Sequence, residues 1–144
     1  PIMYSKEEAA KLRQEFWISF GKSFPYKWTL YKKEVKNLSF RFYFDTKKAM
    51  VCIDIEGSEE ERKECFEKMC SLKGILTEVF PENIYQEHYF LENGKEISRI
   101  WVEKSQVSIH NKETWQQTMV FLHKRMLQIE TFWEEYQDFF KEDF

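Results

Sequence analysis

The chain predicts an α+β fold in which an antiparallel sheet of five to six strands, built around two hairpins, packs against three helices, the last of them long. Three observations predict it. Leu38, Phe40, Phe42 and Phe44 alternate with Ser39, Arg41 and Tyr43, and Val51, Ile53 and Ile55 alternate with Cys52, Asp54 and Glu56, the pattern of half-buried strands joined by the polar turn 45–48. Asn93-Gly94 separates a second pair of segments, 87–92 and 95–104, and this dipeptide tolerates the positive φ values of a tight hairpin turn. Trp115, Met119, Leu122, Met126, Ile129, Trp133, Tyr136 and Phe140 recur at alternating steps of four and three, the ~3.5-residue period of a helical seam.

The elements follow in order. Ser5 and Glu8 form a capping box, and Ala9, Leu12, Phe16 and Phe20 share one face of a first helix that Gly21 and Pro25 end. A short strand is expected over 28–35. Gly57 breaks the return strand of the first hairpin, and Ser58 caps a second helix whose first turn carries Glu59, Glu60 and Glu61. Phe66, Met69, Leu72, Leu76 and Val79 face inward from it, Gly74 weakens it, and Pro81 lies beyond its end. Val107 and Ile109 suggest one more short strand, and Asn111 caps a last helix running from about Lys112 to the end.

That helix would be roughly 45–50 Å long at ~1.5 Å per residue, against a radius of gyration of about 15 Å for a compact chain of this size. It must bend, break, wrap the domain or meet a partner. Phe132 and Phe139 widen its apolar stripe beyond a narrow coiled-coil seam, so part of it belongs to the core. The surplus length nominates a homodimer contact at Trp133, Tyr136, Phe139 and Phe140.

With 144 residues the chain reads as a single domain, 1–144, with 1–4 flexible. Met3 reads as the natural start, with Pro1 and Ile2 added ahead of it. Aromatic residues make up 18 % and charged residues 33 %, which describes a folded chain rather than a disordered one. The net charge of −3 argues against non-specific nucleic-acid binding, which needs a basic footprint. No targeting core or membrane-length apolar run occurs, and Cys52, Cys65 and Cys70 show no CxxC spacing, so a cytoplasmic protein with buried thiols is expected.

Chemistry is sparsely marked. His88, His110 and His123 lack metal-ligand spacing, and neither a nucleophile elbow nor a phosphate-cradling glycine loop is present. No metal and no cofactor is expected. Asp45, Asp54 and Glu56 are weak catalytic candidates: Asp54 and Glu56 share a strand face, as the carboxylates of a restriction-type nuclease must to hold a divalent metal. The position that should be Lys is Glu56, however, and Glu34-Val35-Lys36 precedes any suitable acid-bearing strand.

The stronger signal is a pair of Arg–aromatic–acid triplets, set at alternate positions of Arg41-Phe42-Tyr43-Phe44-Asp45 and Arg99-Ile100-Trp101-Val102-Glu103. They suggest a duplicated strand–strand–helix unit. They also nominate Arg41, Tyr43, Arg99, Trp101 and Glu103 as a binding surface, with Tyr43 and Trp101 free to stack on a base or a peptide side chain. Lys32, Lys33, Lys36, Lys47 and Lys48 add local positive charge.

YSKEEAAKLRQEFW, SFRFYFDTKKAMVCIDIEG, YFLENGKEISRIWVE and NKETWQQTM together resemble an uncharacterised bacterial family of domains of unknown function. The resemblance implies a domain that stands alone in some proteins and in others is appended to a restriction-type nuclease or related DNA-processing domain. It implies no catalytic residues. The reading is a non-catalytic interaction module, with a protein or nucleic acid bound on the polar sheet face, and no membrane partner. The alternative is a divergent metal-dependent nuclease using Asp45, Asp54 and Glu56.

Overall fold

The computed structural model describes residues 3–32 and 35–141. Among these residues, four α-helices (α1, Lys6–Ser23; α2, Glu59–Ser71; α3, Lys73–Val79; α4, Trp115–Lys141) accompany one antiparallel sheet of four strands (β1, Leu38–Phe44; β2, Lys48–Ile55; β3, Ile84–Phe90; β4, Glu96–Ser105). The strand order is β1-β2-β4-β3, so the two hairpins join through β2 and β4 at the centre of the sheet.

The expected capping box at Ser5 forms, and the expected cap at Ser58 proves to be a second box with Glu61. The Ser5 and Ser58 hydroxyls accept from the Glu8 and Glu61 N–H groups, and those glutamates accept from the serine N–H groups in return. The alternation of β1 and β2 places Leu38, Phe40, Phe44, Val51, Ile53 and Ile55 on one face, where Phe16, Phe20, Leu122, Met126, Ile129 and Trp133 of α1 and α4 join them in one core. α4 packs across β2 and β4 and touches α3. Its 27 residues extend about 40 Å. Among the described residues, no helix is long and apolar enough to cross a membrane.

The sheet has four strands rather than five or six. The expected strand at 28–35 is instead a 3₁₀ turn at Thr29–Lys32, with Lys33 and Glu34 outside the described residues. The reason lies on α4. Buried Glu130 accepts from the Thr29 N–H at 2.8 Å, the Thr29 hydroxyl at 3.0 Å and the Tyr26 hydroxyl at 2.5 Å, which draws this segment onto the helix rather than into a ladder. Val107 and Ile109 form no strand. Their side chains are buried, but only Ile109 N–H reaches a strand-end carbonyl, that of Asp45, and Gln106 before them has φ 61°.

The expected second helix is two. It breaks at Leu72, two residues before Gly74, where the Ser71 hydroxyl bonds the Lys68 carbonyl and the Leu72 N–H reaches back only as far as Met69 and Cys70. Asn111 caps a short 3₁₀ turn, Lys112–Thr114, that leads into α4.

Of the four residues nominated for a homodimer contact, two lie in the core. Trp133 and Phe140 are 2 % and 4 % exposed, packed on Phe40 and on each other. Tyr136 stacks on Phe132, and Phe139, 39 % exposed, is the most open of the four. Arg41 lies in the first strand of its hairpin and Arg99 in the second strand of the other, so the two triplets do not occupy equivalent places in a repeat.

Candidate binding groove

The nominated binding residues lie on the sheet face turned away from the helices. Register aligns them in rows: Arg41, Cys52 and Trp101 in one, Ser39, Asp54 and Arg99 in the next, Tyr43, Met50 and Glu103 in a third. Met50, Cys52 and Trp101 are buried there with Tyr43 and Tyr89 packed on them, and no helical residue takes part in that cluster.

The cover comes from the sheet itself. Gln86 and Tyr89 pair with Arg99 and Ile97, so β3 carries one residue more than β4 at this point. Such a bulge bends the strand and raises its twist. It also reverses parity. Tyr85 packs against the helix-side core, whereas Tyr89, four residues on, packs on the polar face. The Tyr89 ring meets Trp101 edge-on at 5.4 Å and lies 4.4 Å from the Arg99 guanidinium. Lys95, leaving the hairpin turn, reaches Glu56 at 2.5 Å. Gly94 makes that turn possible with φ 87°, a conformation that favours glycine.

A groove of about 700 Å³ results, bounded by Arg41, Tyr43 and Lys48 on one side and by Tyr89, Glu92 and Lys95 of the second hairpin on the other. Its floor is a buried ion pair. Arg99 Nε and Nη2 meet the two oxygens of Asp54 at 2.7 and 2.9 Å, the planar fork-to-carboxylate geometry that only arginine supplies. Burial opposes the Arg99 charge, but the Asp54 carboxylate outweighs it and raises the arginine above its ordinary value. Arg41 lies over the same floor, Nε 3.5 Å from Asp54 and Nη2 3.3 Å from Glu56.

Asp45 closes the first turn. One oxygen accepts the Lys47 and Lys48 N–H groups and the other the Tyr43 hydroxyl at 2.8 Å. Burial pushes this carboxyl up, yet those bonds prevail and hold it below the usual range. Burial, with the Asp45 bond, pushes the Tyr43 hydroxyl up to about 12. The Lys95 bond, joined by Arg41, holds Glu56 low. Burial pushes the Cys52 thiol up to about 12, which removes it as a nucleophile.

The model of a protein family described as a domain of unknown function, DUF4268, matches residues 12–137. The chain belongs to the DUF4268 family. Neither a curated protein nor a solved structure matches it.

In this DUF4268 domain the nominated residues divide. Arg41 and Glu103 are accessible and Tyr43 is half-buried, so these three can meet a ligand. Arg99 and Trp101 are 6 % and 7 % exposed. Trp101 cannot stack on a base: Tyr89 covers it and its indole N–H donates to Glu103 at 2.9 Å. Both residues hold the floor in place.

Asp45, Asp54 and Glu56 do not converge as metal ligands, because each is engaged by a protein donor. Among the described residues, no group of three or more His, Cys, Asp or Glu is placed to hold a metal ion. His88 bonds Glu96 at 2.7 Å, His110 packs on Tyr4, and His123 lies among Phe24, Tyr26 and Trp28. Cys52 and Cys65 are buried, but Cys70 is exposed, contrary to expectation. Glu34 and Lys33 lie outside the described residues, as does the Lys32 side chain. Tyr89, Glu92 and Lys95 went unnominated, and the only sequence signal for them was the Asn93-Gly94 turn beside them.

Proposed function

We propose that this DUF4268 domain is a non-catalytic interaction module that holds a peptide segment of another protein in the groove on its polar sheet face. One observation carries the reading: a pre-formed groove of ligand-site size on a sheet face, with accessible Arg41, Tyr43 and Lys48 along one wall and a rigid, self-paired ionic floor. The floor, already held by its own ion pair, needs no further ordering on binding. The nuclease alternative has no comparable support, since its three acids are engaged by Arg99, Lys95 and the first turn. The resemblance to domains appended to DNA-processing enzymes fits a module that recruits or positions a partner, in a bacterial cytoplasm.

Selection of a random peptide-display library on the purified domain tests this, followed by NMR shift mapping of an enriched peptide. Shifts concentrated at Arg41, Tyr43 and Tyr89 to Lys95 are expected. An unenriched library, or shifts elsewhere on the domain, would remove the reading. Mg²⁺-dependent cleavage of DNA or RNA that is lost in a folded Asp54→Ala variant would replace it with the nuclease.

A further inference from the structure

We infer that the groove selects an acidic ligand: an extended peptide carrying two carboxylates about four residues apart. The inference rests on the peptide-binding reading above and adds the chemistry of what is bound.

Formal charge along the groove cancels, with Arg41, Lys48, Lys95 and Arg99 set against Asp45, Asp54, Glu56 and Glu92. Hydrogen-bonding capacity does not cancel. Asp54 has both oxygens on the Arg99 fork. Glu56 has one oxygen on Lys95 and the other on Arg41. Asp45 has both oxygens on the first turn and Tyr43. Three of the four acids therefore have both oxygens already engaged by protein donors, and the fourth, Glu92, stands exposed on the hairpin.

The cations are in the opposite condition. Arg41 carries five N–H donors; its contacts among the described residues are at 3.3 and 3.5 Å, and its side chain is 56 % exposed. Lys48 approaches Glu103 at 3.8 Å, beyond hydrogen-bond distance. The groove thus offers two under-used charged donors, Arg41 and Lys48, against one exposed carboxylate, Glu92. A carboxylate, which only accepts, is the matching group, and bonds between charged partners are the strong ones.

Spacing narrows the ligand further. The Lys48 carbonyl accepts from Asp45 N–H, which sets Lys48 opposite Asp45, four strand positions from Arg41. At ~3.3 Å per residue the two cations are rooted about 13 Å apart, with Tyr43 between them on the same face. An extended segment with acids at its first and fifth positions spans that distance and lays its third side chain over the Tyr43 ring.

A nucleic acid fits less well, because its continuous row of phosphates would run past Glu56 and Glu92.

The peptides enriched from the display library provide the test. Acidic residues at a four-residue spacing are expected in the pool. A labelled peptide from it should lose about tenfold in affinity by fluorescence anisotropy when either acid is changed to its amide. Lys48→Ala, which leaves the Asp54–Arg99 floor untouched, should cost a similar factor, and Arg41→Ala/Lys48→Ala more. Enriched peptides without acidic bias, or affinity unchanged by amidation, would overturn the inference while leaving the peptide-binding reading standing. Tighter, Lys48-dependent binding of an oligothymidylate than of any peptide would overturn both.

Discussion

Asp54 sits in the middle of the polar face, 2 % exposed, with both oxygens on Arg99. Asp54→Asn leaves a buried guanidinium without its counter-charge and is expected to cost about 3–5 kcal/mol in urea unfolding. Mg²⁺ should not change that loss, because the role is structural. Glu130→Ala removes the acceptor for the Thr29 N–H and hydroxyl and should cost about 1–3 kcal/mol by the same measurement. The carboxyls of Asp45 and Glu56 are both held below their ordinary values in the folded chain. Their contribution is therefore complete above the unfolded carboxylate range near pH 4 and is lost as pH falls through the folded values. The urea midpoint should drop between about pH 5 and pH 3, and less steeply in Glu56→Gln. Maleimide should label Cys70 alone in the native protein, and all three thiols in urea, because Cys52 and Cys65 are buried.

At the level of elements, the decisive piece is the second hairpin. β2 is buried along nearly its whole length, and its neighbours β1 and β4 cover both of its edges. β3 is an edge strand with half its side chains exposed, bent at the bulge and turned over the polar face. Amide exchange is expected to be slowest across residues 50–55 and fastest in the 91–95 turn, and protection of that turn on ligand binding would show that the hairpin forms one wall of the groove. The helices and the first hairpin were legible because their signals are local: a capping box, an alternating strand, a seam. The bulge was not. It depends on how β3 meets β4, and no periodicity in 84–90 announces that Tyr89 changes sides.

For the molecule as a whole, the long C-terminal helix suggested assembly because its apolar surface exceeds what a short helix needs. In the fold, α4 crosses the sheet and rests on α3, and Trp133 and Phe140 complete the core at its far end. With those two rings taken up internally, light scattering at tens of micromolar should give the 17.8 kDa monomer; a dimer mass would show that the exposed Phe139 edge is enough to hold two copies together.

Sequence alone determined the α+β class, the two hairpins, the Ser5 capping box, the Ser58 cap and the polar face carrying Arg41, Tyr43 and Glu103, because each follows from residue spacing along one element. Tertiary structure decided the strand count, the break at Leu72, the loss of Trp101 and Arg99 to the interior and the existence of a groove. Apart from the Leu72 break, whose contacts are local, those outcomes turn on groups far apart in sequence, Glu130 with Thr29, Asp54 with Arg99, Glu56 with Lys95, whose meeting depends on how the elements pack.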